Sequence, residues 1–187
     1  CAHLSNAGSD YWICDNRINR AMARNVCRSA EGFDLVAIDD SAENEFLKGQ
    51  INRERDYWIG GSDSVLEGRW VWTDGTQFWQ GGSGGSAWGG AYTDWYGGEP
   101  NNAGDEDCAT LRRGGSNIDW RDRDCGNRYR FICEGPAGTK TGIREELVMH
   151  EIKVISVISE GSVQGTVGFE GAIEQAEAIA NYTGTLM

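Results

Sequence analysis

Residues 99–108, EPNNAGDEDC, place four carboxylates, Glu99, Asp105, Glu106 and Asp107, within ten positions. Like charges at this density repel one another unless a cation sits among them. A hard cation such as calcium takes about six to eight oxygens from carboxylates, amide carbonyls, backbone and water. The stretch offers that set, with Asn101 and Asn102 beside the acids and no His or Cys placed for a softer metal. Glu99-Pro100 is a candidate cis bond, which would turn the Glu99 carbonyl and its neighbours to one side. The plain alternative is a solvated acidic loop.

The 187 residues bound the rest. This length holds one full domain and an appendage. Hydrophobic residues at 39% suffice for a core, and no run approaches the length of a membrane span. A net charge of −12 argues against nucleic acid, whose phosphates would be repelled. Six cysteines, at 1, 14, 27, 108, 125 and 133, contain no C-x-x-C pair, which disfavours a zinc ribbon or a thioredoxin motif. Three disulfides in an oxidising compartment is the reading they support, and with it a secreted or extracellular location. The opening at Cys1 without a visible signal peptide reads as a mature form or a piece of something longer.

All eight Trp and all six Cys precede residue 135. Residues 1–134 carry 14 basic and 22 acidic residues; the remainder carries 3 and 7. This shift predicts a domain over 1–134, a linker over 135–150 opening at Gly135-Pro136-Ala137-Gly138, and a tail over 151–187. Within the domain, residues 11–14 read as a strand, about 17 to 30 as a helix with Ile18, Met22, Val26 and Cys27 on one side, and 35–38 as a brief apolar strand. A second helix opens after Asp40 with Glu43 as a capping box and points Phe46, Leu47 and Ile51 inward. Residues 57–59 read as a strand ending in a Gly60-Gly61 turn, and 69–73 as a strand meeting the Asp74-Gly75 turn. Residues 80–91 are Gly/Ser-rich and read as a flexible surface insertion. Short strands follow at 108–111, 120–125 and 129–133. The sum is a loop-rich α+β domain that needs its disulfides.

These residues resemble a C-type lectin-like domain in its long form. The landmarks stand in order: a helix ending at Cys27, DLVAI at 34–38, WIGG at 58–61, EGRWVWTDG at 67–75, DW at 94–95, EPNN at 99–102, EDC at 106–108, W-x-D-x-x-C at 120–125 and FICE at 131–134. The resemblance covers 1–134 and not the tail. It implies two helices, short antiparallel sheets, a long loop region, and the pairs Cys1–Cys14, Cys27–Cys133 and Cys108–Cys125. It also implies a sugar-binding calcium at Glu99, Asn101, Glu106 and Asp122. A second, structural calcium would use Asp63, Glu67, Asn102, Glu106 and the backbone carbonyl of Asp107. The Glu-Pro-Asn order goes with mannose-type sugars, whose vicinal hydroxyls coordinate the metal and bond to Glu99, Asn101 and Glu106. One position departs: where the family's sugar site has Asn before the Asp matching Asp122, this chain has Arg121. Arg121 either swings outward, leaving a site short of one ligand, or lies across Glu99 and Glu106 in place of the metal.

Other features carry plainer readings. Trp70, Trp72, Trp95 and Trp120 read as core, while Trp79 and Trp88 are candidates for exposed sugar contacts. No apolar pocket is evident to raise one carboxyl for glycoside hydrolysis, so catalysis is not expected. His3 and His150 are isolated. The arginines at 121, 123, 128 and 130 read as solvated or paired with nearby acids, with a polyanion site as the alternative. In the tail, 151–159 and 162–169 have strand rhythm and 172–182 helical rhythm, a β-β-α unit too small to stand alone. It would dock on its own domain or on another molecule. Asn181-Tyr182-Thr183 fits a glycosylation acceptor. Two functions remain: an extracellular calcium-dependent, mannose-selective carbohydrate binder, or a structural subunit of a surface assembly that self-associates through 151–187.

Overall fold

The chain runs β1 (Ala2–Asn6), β2 (Ser9–Ile18), α1 (Arg20–Arg28), β3 (Asp34–Leu35), α2 (Ser41–Gln50), β4 (Asp56–Ser62), β5 (Arg69–Val71), β6 (Gln77–Gln80), β7 (Ser86–Ala87), β8 (Cys108–Gly114), β9 (Asn117–Arg123) and β10 (Tyr129–Pro136). The computed structural model describes residues 1–52, 54–114 and 117–138, with the backbone alone at 113, 114, 117 and 118. The expected linker beyond Gly138, the β-β-α tail over 151–187, His150 and the Asn181 acceptor lie outside the described residues.

The strands join in the order β1-β2-β10-β4-β5-β6-β7, with β3 added to β10 and the β8–β9 hairpin added to β4. All pairings are antiparallel except β10 with β4, where Arg130 faces Tyr57 and Phe131 faces Trp58. β4 thus has partners along both sides, and it is buried from Tyr57 to Ser62. A strand so enclosed must be apolar on both faces. This explains the Tyr-Trp-Ile run, and also why the strand continues through Gly60 and Gly61 instead of turning there. At Gly60 an added Cβ would meet the carbonyl oxygens of Leu35 and Val36 at 2.9 Å. Glycine lets β4 approach the residues around β3 that closely.

Each helix is fixed by its first turn. Asn19 caps α1, its Oδ1 accepting from Met22 N at 2.9 Å, and Ala23, Val26 and Cys27 face the core. Asp40 caps α2, its Oδ1 accepting from Glu43 N at 2.8 Å. Glu43 returns the bond to Asp39 N at 2.9 Å, one residue before the cap. The buried face of α2 is Asn44, Leu47 and Lys48, with Ile51 at its end; Phe46 is half-buried.

The three disulfides are Cys1–Cys14, Cys27–Cys133 and Cys108–Cys125. The second closes a loop of 106 residues. In the chain-entropy account such a closure contributes about 4–5 kcal/mol by restricting the unfolded chain. Around it lies the core of Ile13, Val36, Ile38, Leu47, Tyr57, Ile59, Leu111 and Ile132, continued by an aromatic group of Trp70, Trp72, Phe78 and Trp120. Trp72 stacks on Phe78 at 4.1 Å between centroids, and Trp120 meets both edge-on.

Next to this core, Glu134 accepts from Ser9 Oγ at 2.9 Å and from Ala37 N at 3.4 Å. Burial, and then the charge of Glu43, push its carboxyl from the ordinary 4.5 up to about 7. The folded state therefore holds this proton where the unfolded chain has lost it. The associated stability is full below about pH 4.5 and is lost as pH rises through about 7.

Two outcomes follow. Gly60→Ala forces the added methyl against two backbone carbonyls, and denaturant unfolding should show a loss of about 1–3 kcal/mol. The fall in melting temperature from about pH 5 to about pH 8 should be smaller in Glu134→Gln than in the natural chain. Parallel curves would show that Glu134 does not titrate in this window.

Candidate calcium and sugar site

Two acidic groups form where the long loop between β6 and β8 folds back on the sheet. The first begins at the end of β4. Asp63 N donates to Asp107 O at 3.2 Å, tying the start of one loop segment to the end of another. Asp63 Oδ2 accepts from Gly68 N at 2.9 Å, closing the turn that carries Glu67. The outcome is that carboxylate oxygens of Asp63, Glu67 and Asp107 lie within 4.8 Å of one another. Asp63 is 3% exposed. Burial, then the neighbouring Glu67 and Asp107, push it up to about 6.

The second group joins Glu99, Asn101 and Asp122. Glu99-Pro100 is cis, as the sequence predicts. Asn101 Nδ2 donates to Glu99 Oε2, and Asn101 Oδ1 accepts from Ala103 N at 2.7 Å. Asn102, at φ 50°, turns its N–H to Asp122 Oδ2 at 2.6 Å. Its own side-chain oxygen accepts from Glu106 N at 2.8 Å. Burial, and then the neighbouring Asp122 carboxyl, push Glu99 up to about 7. Glu106 and Asp107 are raised as well, mainly by burial.

The loop carrying Glu99 is held from below. Trp120 N donates to Asp94 O at 2.8 Å, and Tyr96 N donates to Trp120 O at 2.9 Å. Trp120 Nε1 donates to Asn44 Oδ1 at 3.0 Å, while Asn44 Nδ2 donates to Tyr92 Oη and Asp94 Oδ2. Lys48 Nζ completes the group 2.6 Å from Asp94 Oδ2. The sequence reading does not contain this partly buried polar network. The signal was present, since 44, 47, 48 and 51 follow the period of a helix face, but polar residues at 44 and 48 obscured it.

The Arg121 guanidinium lies over the Tyr96 ring at 4.3 Å, with its Nε buried and without a hydrogen-bond partner among the described residues. Among the described residues it makes no ion pair with Glu99 or Glu106. The cation near Glu106 is Arg123, with Nη1 3.7 Å from Glu106 Oε1 and Nε 3.7 Å from Asp56 Oδ1. Trp70, Trp72 and Trp120 are core, and Trp95 packs against them. Trp79 is also tied inward, its Nε1 donating to Gly81 O at 2.9 Å. The Gly-rich stretch is thereby anchored and contributes β7. Trp88 stays 52% exposed.

The donor set suits calcium by a test internal to the structure. Among the described residues, Asp63 Oδ1 and Asp122 Oδ1 are buried without a hydrogen-bond partner, one in each group. A buried carboxylate oxygen left unpaired carries a desolvation cost that a bound cation removes. Oxygen is the only donor type present, which fits a hard ion.

A family model, the Lectin C-type domain, matches residues 16–135. Perlucin from Haliotis laevigata is 35% identical over 133 residues, covering 69% of this chain and 77% of perlucin. Human C-type lectin domain family 4 member E is 37% identical over 128 residues, covering 67% of this chain and 53% of that protein. The chain thus spans little more than half of the human relative. The carbohydrate-recognition domain of cow CD23, solved in the presence of a GlcNAc2Man3 oligosaccharide, superposes with a TM-score of 0.60 at 28% identity, over 73% of this chain and 94% of that one. With its elements, its three disulfides and these matches in agreement, the chain belongs to the C-type lectin domain family.

Proposed function

We propose that residues 1–134 form an extracellular carbohydrate-binding module that works through calcium and selects mannose-type sugars. Family membership places the chain among binding modules rather than enzymes. The observation that carries the calcium reading is the pair of buried, unpartnered carboxylate oxygens, Asp63 Oδ1 and Asp122 Oδ1. Three disulfides suit an oxidising, extracellular setting. No helix among the described residues is long and apolar enough to cross a membrane.

In this reading Glu99, Asn101, Glu106 and Asp122 hold the ion that meets the sugar. Asp63, Glu67 and Asp107, with Asn102 and Glu106 nearby in the chain, hold a structural one. An ion held there would supply a Lewis-acidic point for two vicinal hydroxyls. Glu99 and Glu106 accept from those hydroxyls, Asn101 donates its amide, and each bond to a charged partner is stronger than a neutral one. Arg121 leaves the sugar-facing set without the family's Asn. Affinity for a single sugar is weak in this reading, because the site is shallow and wet.

Calcium that binds the folded state alone raises the melting temperature as its concentration rises; at a hundredfold excess over Kd the gain is about 2.7 kcal/mol. Asp63→Asn should reduce that gain. An unchanged melting curve in excess chelator would remove the calcium reading. On a glycan array, mannose and fucose ligands should exceed galactose ligands, and chelator should abolish both. Glu99→Gln with Asn101→Asp should reverse the order. Equal binding of both sugar classes would mean that these two side chains do not select.

A further inference from the structure

At the opposite end of β4 from Asp63, the chain gathers arginines. Arg17, Arg55 and Arg130, with Glu54, Asp56 and Tyr129, line a cleft of about 250 Å³. The domain around it has 22 acidic and 14 basic residues, so positive charge concentrated here runs against its overall balance. The acids nearby are largely engaged. Asp56 Oδ2 lies 3.2 Å from Arg112 Nη1, and its Oδ1 lies 3.7 Å from Arg123 Nε. Asp15 Oδ1 accepts from Arg130 Nε at 2.9 Å and from Tyr57 Oη at 3.2 Å. Glu54 is the one carboxylate of the cleft without an arginine partner among the described residues.

The arginines are also pre-positioned. Arg17 Nε donates to Arg128 O at 3.2 Å, and Arg128 Nε donates to Arg17 O at 3.3 Å. This reciprocal pair keeps two guanidiniums side by side. Arg130 is paired with Asp15 and lies over the Tyr57 ring at 5.9 Å. Arg17 and Arg128 are held through Nε, with no hydrogen bond at their terminal N–H groups among the described residues. The guanidinium of Arg55 and the hydroxyl of Tyr129 have none either. Like charges held in this way repel one another, and a shared anion relieves the repulsion. Guanidinium forks match tetrahedral oxyanions in a bidentate manner.

We propose that this cleft binds oxyanion esters, sulfate or phosphate, carried on a saccharide chain, independently of the calcium groups. Nucleic acid is disfavoured by the net charge of −12, which repels a phosphate backbone.

The test uses the full chain with calcium chelated, and titrates a sulfated oligosaccharide, a phosphorylated one and their unsubstituted counterpart by calorimetry at two salt concentrations. The substituted chains should bind, more weakly at higher salt, and the unsubstituted one should not. The tighter of the two substituted arms identifies the ester. Arg17→Gln with Arg55→Gln, both at exposed positions, should weaken binding about tenfold or more, while the calcium-dependent melting shift stays unchanged. Glu54→Gln removes the opposing charge and should tighten binding. Absence of binding in chelator, equal binding of the unsubstituted chain, or indifference to all of these substitutions would overturn the proposal. Loss of calcium-dependent sugar binding alone would leave it standing.

Discussion

Trp120 joins the loop region to the sheet, and the site depends on that junction. Its backbone bonds to Asp94 and Tyr96, its indole N–H to Asn44, and its ring meets Trp72, Phe78 and Trp95. Between β6 and β8 the chain forms almost no regular structure, so its polar backbone must find partners one at a time. A large, fully buried aromatic residue with one N–H supplies both the apolar area and a fixed point. Asp122 lies two residues further along the same strand. The anchor and this candidate ligand are therefore fixed on one strand.

Much of the fold was legible because the local signals agreed. Asp40 followed by Glu43, the Tyr-Trp-Ile run and the cysteine set each point to what is observed. The errors came where tertiary contact overrode local chemistry. Gly60-Gly61 looks like a turn, yet it lies inside β4 because neighbouring backbone leaves no room for a Cβ. Residues 80–91 look flexible, yet Trp79 and the β6–β7 pairing hold them. In the site, the candidate ligands were legible as residues but not as groupings. Asp107 brings its side chain to the cluster, and its carbonyl also accepts from Asp63 N. Nor could spacing tell that Arg121 stacks on Tyr96 while Arg123 turns toward Glu106; neighbours on a strand face opposite ways, and the outcome depends on what each face meets.

The raised carboxyls of Asp63, Glu99, Glu106 and Asp107 describe a loop that folds against its own electrostatics. Burial is the largest cause in each case, so the cost comes from the packing that shapes the site. A hydrogen bond from Gly68 N to Asp63 Oδ2 offsets part of it at Asp63. The same packing that makes these groups poor solvated acids makes them good oxygen donors.

The short β1 strand has a further consequence. Its five residues are mostly polar or exposed, and they cover β2, whose inner residues Tyr11 and Ile13 belong to the core. Without that cover, β2 would present its free N–H and C=O groups as the rim of the sheet, where a second copy could pair. Clipping or reduction at Cys1–Cys14 would then show first as turbidity in concentrated samples, before any change at the ligand-bearing loop. The first six residues thus close the outer edge of β2.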